Sequence, residues 1–257
     1  MTFTTRSQAM KTTGLSYLGN VNTSSKIMKN LKKKNTDTYI IYLAPHTLSG
    51  YNVCPMASID CIAACLASSG HNRIDVKGII NNARIKKTKL FFENRQFYND
   101  WVIAEIKAHK AKSLSKGHDF SVRINGTSDI NPELITQDGQ NIFDIFHDVK
   151  FYDYTKVLNR SKLLIDNQNY DLTFSYSGKN WVDCLTALAN NMRVAVVFEK
   201  LPVSYQGIPV INADETDLRY NDPTNVIAGL IFKKVRTKID FTSQKFIIQA
   251  TDTNCIY

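Results

Sequence analysis

Between residues 119 and 198 the sequence passes repeatedly from short runs dense in Val, Ile, Phe and Tyr to longer stretches with helical spacing of apolar residues. No other feature constrains the fold as much. A strand, a helix and a second strand in succession make a parallel pair joined by a crossover, so this alternation demands a parallel sheet with helices packed on it. The strand-like runs are 119–125, 149–155, 171–176 and 193–198, preceded by 38–44 and followed by 209–212, 226–233 and 245–250. Helical patterns occupy 56–68, 90–112, 132–146 and 179–191. The third opens on a proline and the fourth closes on Asn-Asn, both suited to helix ends. Eight strand candidates of this kind predict an α/β fold of TIM-type (β/α) barrel, incomplete or decorated after Phe198, where helical patterns cease. An open doubly wound sheet is the rival. Residues 37–257 read as one barrel-like domain, and residues 1–36, rich in Ser, Thr and Lys, as a polar, basic N-terminal arm.

At 257 residues the chain can bury a full core without disulfide staples. Apolar residues at 43% and charged residues at 21% exclude a disordered or collagen-like chain. No apolar stretch approaches the roughly 20 residues of a membrane span, and the N-terminus lacks a signal-peptide pattern. A soluble, cytoplasmic protein without a membrane partner is the expectation. Charge suggests another partner. The 32 Lys and Arg exceed the 23 Asp and Glu, for a net charge of +9. Lys26, Lys29, Lys32, Lys33 and Lys34 cluster early, and Arg84, Lys86, Lys87 and Lys89 follow. Clustered cations favour a polyanion such as DNA, because each phosphate contact releases a counterion. A solvated lysine-rich surface is the plainer reading.

Cys54, Cys61 and Cys65 fall within twelve positions, directly after the first strand candidate. On a helix Cys61 and Cys65 lie one turn apart on one face, within reach of Cys54 in the preceding loop. Three such thiolates can hold zinc, with His71 as the fourth ligand. They can equally hold a four-iron cluster with one iron open to a small molecule. Packing within an Ala-rich helix is the third possibility, since free Cys behaves as a small hydrophobe.

In a parallel barrel the working residues sit where strands end. Asn125, Gly126, Ser128 and Asp129 occupy one such position, Tyr152, Asp153, Tyr154 and Lys156 a second, and Ser177 and Lys179 a third. A later acidic stretch contributes Asp217, Arg219 and Asp222, for acid/base work or a buried ion-pair network.

The motifs Arg123-x-Asn-Gly-x-x-Asp129, Phe151-Tyr-Asp-Tyr-Thr-Lys156 and Asp217-x-Arg219-x-x-Asp222-Pro223, together with the Cys stretch and Lys87–Arg95, resemble a bacteriophage family known by a late gene-product number. That family in turn is similar to divergent phage DNA-guanine transglycosylases, which exchange guanine in DNA for a 7-deazaguanine base. The resemblance implies a TIM barrel acting in the infected host cell, with zinc on three Cys and one His. It also implies an Asp nucleophile at the sugar carbon, placed here at Asp129, with Asp153 or Asp217 handling the proton. The flipped base would stack on Tyr152, Tyr154 or Tyr176. The Cys cluster comes early here, where transglycosylases carry it late, and its spacing differs. An early three-Cys cluster after the first barrel strand also resembles radical enzymes that use a 4Fe-4S cluster and S-adenosylmethionine. A non-catalytic accessory protein that binds nucleic acid or protein is the remaining alternative.

Overall fold

The computed structural model describes residues 2–65, 75, 78–233, 240 and 244–257. The chain opens with α1 (Arg6–Thr13), β1 (Gly19–Val21), α2 (Ser25–Lys34) and β2 (Thr36–Ile41). Next come α3 (Ile59–Ala63), α4 (Ile79–Glu93), α5 (Arg95–Leu114) and β3 (Asp119–Arg123). A small hairpin of β4 (Thr136–Gln137) and β5 (Gln140–Asn141) precedes α6 (Ile142–Ile145), β6 (Lys150–Thr155), α7 (Leu163–Asp166) and β7 (Tyr170–Ser175). The last third holds α8 (Trp181–Ala189), β8 (Arg193–Phe198), β9 (Ser204–Tyr205), β10 (Ile208–Asn212), β11 (Ile227–Ile231), β12 (Ile247–Ile248) and β13 (Cys255–Ile256).

All eight strand-like runs of the sequence become strands, and six of them lie parallel in chain order: β2, β3, β6, β7, β8 and β11. A monotonic order with right-handed crossovers places the connecting helices on one face. The side chains agree. Val122, Phe151, Leu172, Phe174, Val194, Val196 and Ile227 join one apolar core with Phe97, Trp101 and Ile106 of α5 and Cys184 and Ala187 of α8. The opposite face is polar, carrying Thr38, Ser121, Arg123, Tyr152, Tyr154 and Thr173.

Closure into a barrel is not seen among the described residues. The sheet runs as an open path from β1 to β13. β1 caps β2 antiparallel, and β9 and β13 finish the other end antiparallel. β10 still adds in parallel to β11. After β8 the chain returns through short strands instead of crossover helices, so the decoration expected beyond Phe198 replaces further barrel strands.

Three local expectations are corrected. Residues 1–36 are not a loose arm. Leu15, Leu18 and Ile27 are buried, and the Glu105 carboxylate accepts from the N–H groups of Leu18 and Gly19 and from the Tyr39 hydroxyl at 2.7–3.2 Å. Residues 132–146 are not one helix. Asp138-Gly139, both at positive φ, turn the β4–β5 hairpin, as this dipeptide favours, and the helical parts are one 3₁₀ turn at Pro132–Leu134 and the four-residue α6. The 90–112 pattern belongs to two helices broken at Asn94.

Candidate functional site

The C-terminal ends of the parallel strands surround a cavity of about 240 Å³. Ligands in open parallel sheets bind at this edge, beyond the carboxyl ends of the strands. Arg123 and the 125–129 loop come from the end of β3, Tyr154 to Lys156 from β6, Ser175 and Tyr176 from β7, and Leu230 to Lys233 from β11. Phe246 and Asp214 complete the rim. From the polar face α2 contributes Lys26. Ser24 caps that helix by accepting from Ile27 N–H, and its apolar Ile27 is buried, which fixes the neighbouring Lys26 toward the sheet.

All three clustered cysteines line this cavity. Ser58 caps α3 by accepting from Cys61 N–H at 3.1 Å, and the Ser58 hydroxyl donates to the Ser177 carbonyl, tying the helix to the strand end after β7. Cys54 sits in the loop ahead of α3. Its Sγ lies 3.5 Å from His46 N–H and 3.8 Å from the Thr127 carbonyl, and burial pushes its thiol up to about 11. No disulfide joins the cysteines, and among the described residues no three His, Cys, Asp or Glu side chains stand together as a metal site. His71 lies outside the described residues.

Asp129 lines the cavity, but its carboxylate is committed. It accepts from the Thr155 hydroxyl at 2.9 Å, Lys156 N–H at 2.8 Å and the Arg160 guanidinium. Asn125 holds the loop by accepting from Ser128 Oγ and Ile130 N–H. Gly126 lets it approach β2: a Cβ there would meet the Ile41 carbonyl at 2.5 Å.

The other two expected carboxylates lie elsewhere. Strand alternation turns Asp153 away from the cavity to the helix-covered face, where it accepts from Asn125 N–H at 2.7 Å, Asn125 Nδ2 at 3.2 Å and the Tyr170 hydroxyl at 3.2 Å. Burial raises it to about 7, against the Asn125 donors, which favour the ionised form. Asp217 is buried on the polar face behind Arg123 and Tyr154. Lys26 Nζ stands 3.1 Å and Arg123 Nη1 2.6 Å from its oxygens, and the Tyr152 and Tyr154 hydroxyls donate at 3.1 and 3.4 Å. Burial opposes ionisation, but Arg123, Lys26 and Arg219 hold this carboxyl far below its usual range. Arg219 and Asp222 pair with each other at 2.9 Å, outside the cavity lining.

The cavity therefore gathers Cys54, Cys61, Cys65, Asn125, Gly126, Ser128, Asp129, Tyr154 and Lys156 from the sequence candidates. It does not gather Tyr152, Asp153, Ser177, Lys179, Asp217, Arg219 or Asp222, and Lys179 is exposed to solvent. Sequence reasoning missed Lys26 and Lys233. Lys26 looked like one of many lysines, and the usable signal was the Ser24 cap in front of an amphipathic run. Among the described residues no helix is long and apolar enough to cross a membrane.

Comparison with known proteins matches residues 13–247 to the sequence model of the gene product 88 family, so the chain belongs to that family. This accords with the numbered phage gene-product family its motifs resemble, and nothing in the match points to a transglycosylase. No curated protein and no solved structure shows a match.

Proposed function

We propose that this member of the gene product 88 family is an enzyme whose cysteines hold an iron–sulfur cluster at the strand ends, for radical chemistry on S-adenosylmethionine. One observation carries the reading. The three thiols that follow the first parallel strand all line the same cavity, at the carboxyl edge of a sheet with six parallel strands in chain order. The donor set fits: three thiolates leave one iron of a four-iron cluster open for a ligand. Among the described residues these thiols do not yet stand together as a metal site, so binding requires them to converge and to lose their protons. Cys54, Cys61 and Cys65 would hold such a cluster, which would supply one-electron reduction of a bound sulfonium at the expense of an external reductant. The chain's own residues do the rest. Asn125 and Ser128 offer polar groups, Tyr176 and Phe246 offer aromatic faces, and Lys26, Arg123, Lys156 and Lys233 favour anionic groups. Six parallel strands follow one another in chain order, and the sheet they form is open.

Base exchange on DNA is the second reading, and the placement of Asp129 on the cavity wall favours it. Its nucleophile would first have to leave Arg160, and neither Asp153 nor Asp217 reaches the same cavity.

Anaerobic purification followed by iron and sulfide analysis tests the first reading. About four of each per chain, lost in Cys61→Ala, together with release of methionine from S-adenosylmethionine under dithionite, is the expected result. Metal-free protein after anaerobic reconstitution, with labelled 7-deazaguanine base entering DNA in an Asp129-dependent way, would replace it by base exchange.

A further inference from the structure

The polar face of the sheet beneath the cavity is unevenly charged. Lys26 and Arg123 both reach the cavity, and both depend on one carboxylate, Asp217. That carboxylate already receives two tyrosine hydroxyls besides the two cations, and its side chain is fully buried. Its neighbour Asp222 is taken up by Arg219. One positive charge is therefore left over at the floor. Arg123 gives its Nη1 to Asp217, and its Nε is buried and shut off from the cavity, so what Arg123 and Lys26 show the cavity is charge. A guanidinium's planar donors and an ammonium's point charge both suit a phosphate group. Both cations are held over the Tyr154 ring, Arg123 at 4.6 Å and Lys26 at 5.9 Å from its centroid, so the pair is positioned before any ligand arrives. Higher on the wall stand Lys156 and Lys233. Of the two wall carboxylates, Asp129 is neutralised by Arg160, and Asp214 lies 3.6 Å from Lys233.

We infer that Lys26 and Arg123 form an oxyanion subsite at the cavity floor that binds a phosphate group of the substrate. The aromatic rim of Tyr176 and Phe246 lies on the same cavity, so a nucleotide fits both features: phosphate at the floor, ring against the rim. This deepens the reading of the cavity as a substrate site, and it stands without any cluster.

The test uses the metal-free full-length chain, so a failed iron assay leaves it intact. Phosphorus NMR of inorganic pyrophosphate should show line broadening on addition of protein, reversed by one competing ligand. Deoxyguanosine 5′-monophosphate should compete, and deoxyguanosine should bind about tenfold more weakly or worse, the scale of one charge-assisted hydrogen bond. Competition by a short single-stranded oligonucleotide but not by the mononucleotide would place the phosphate in a nucleic-acid backbone. Lys26→Gln should weaken pyrophosphate binding about tenfold while the circular dichroism spectrum is kept. Should that variant unfold, the wild-type competition still decides. No broadening, with nucleoside and nucleotide bound equally, would overturn the subsite.

Discussion

Replacing Asp217 by Asn changes one charge and almost no volume, at the centre of the polar face. In the native chain the carboxylate is fully buried, and the Lys26 and Arg123 side chains that face it are only 17% and 13% exposed. Their compensation is therefore little screened by solvent. Removing one partner of a buried ion pair costs about 3–5 kcal/mol, because the remaining charge stays buried and unpaired. The amide also turns an N–H₂ group toward either Lys26 or Arg123, donor against donor. Against a total stability of about 5–15 kcal/mol, such a loss is easily measured. Urea unfolding at pH 7 should show it as a lower midpoint. The pH dependence has a definite sign. The folded carboxyl is held below its ordinary value, so its contribution is full above the unfolded value of about 3.9. It is lost as pH falls through the folded value. The gap between wild type and Asp217→Asn should thus be constant from neutral pH down to about 4 and shrink below it. A Lys26→Met, Asp217→Asn double variant should recover part of the loss, since it removes one stranded cation as well. A loss at pH 7 under about 1 kcal/mol, the size of an exposed pair, or no recovery in the double variant, would refute the account of this face.

Gly126→Ala should destabilise by about 1–3 kcal/mol, because the new Cβ meets the Ile41 carbonyl at 2.5 Å and the Tyr42 ring at 2.7 Å; thermal unfolding unchanged from wild type would show that the loop yields. Asp153, raised to about 7 by burial, contributes stability that is full below about 3.9 and is lost as pH rises through about 7. Asp153→Asn should therefore gain on wild type between pH 4.5 and 7.5 in paired urea titrations, and a constant difference would mean the carboxyl ionises normally. Lys32, Lys33 and Lys34 are exposed on the last turn of α2, and among the described residues Lys33 alone of them meets an acid, Glu215, at 3.5 Å. Reversing all three charges should weaken DNA binding equally across sequences and flatten its salt dependence; an unchanged salt slope in a filter-binding titration would remove DNA from this surface.

How much of this was legible before the structure depends on which physical signal each residue gives. The strands were legible because runs such as Val194–Phe198 and Ile227–Ile231 have few stable alternatives to a buried parallel strand. The hairpin at Asp138-Gly139 is also written in the sequence, but the proline at 132 signals a helix start, and that start extends only over the 3₁₀ turn Pro132–Leu134. Lys26 was hidden because a lysine in a charged run gives no sign of whether it faces water or an ion-pair network. Only the register of α2 over β2 decides that, with Asn30 donating to Thr38 at 3.0 Å and accepting from Asp217 N–H at 2.8 Å. Asp153 is different, since its misplacement was avoidable. Side chains alternate along a strand, so Asp153 cannot share the face of Tyr154, and only at the strand end, from Thr155 on, do consecutive residues line the cavity. Phe151 in the apolar core settles which face is which, and Asp153 goes with Phe151. The same rule pairs Tyr152 with Tyr154 on the polar face, where both donate to Asp217. The acidic residues that looked like a catalytic set are therefore divided by the sheet. One of them, Asp217, serves the cavity indirectly, by holding the two cations that can meet a ligand there.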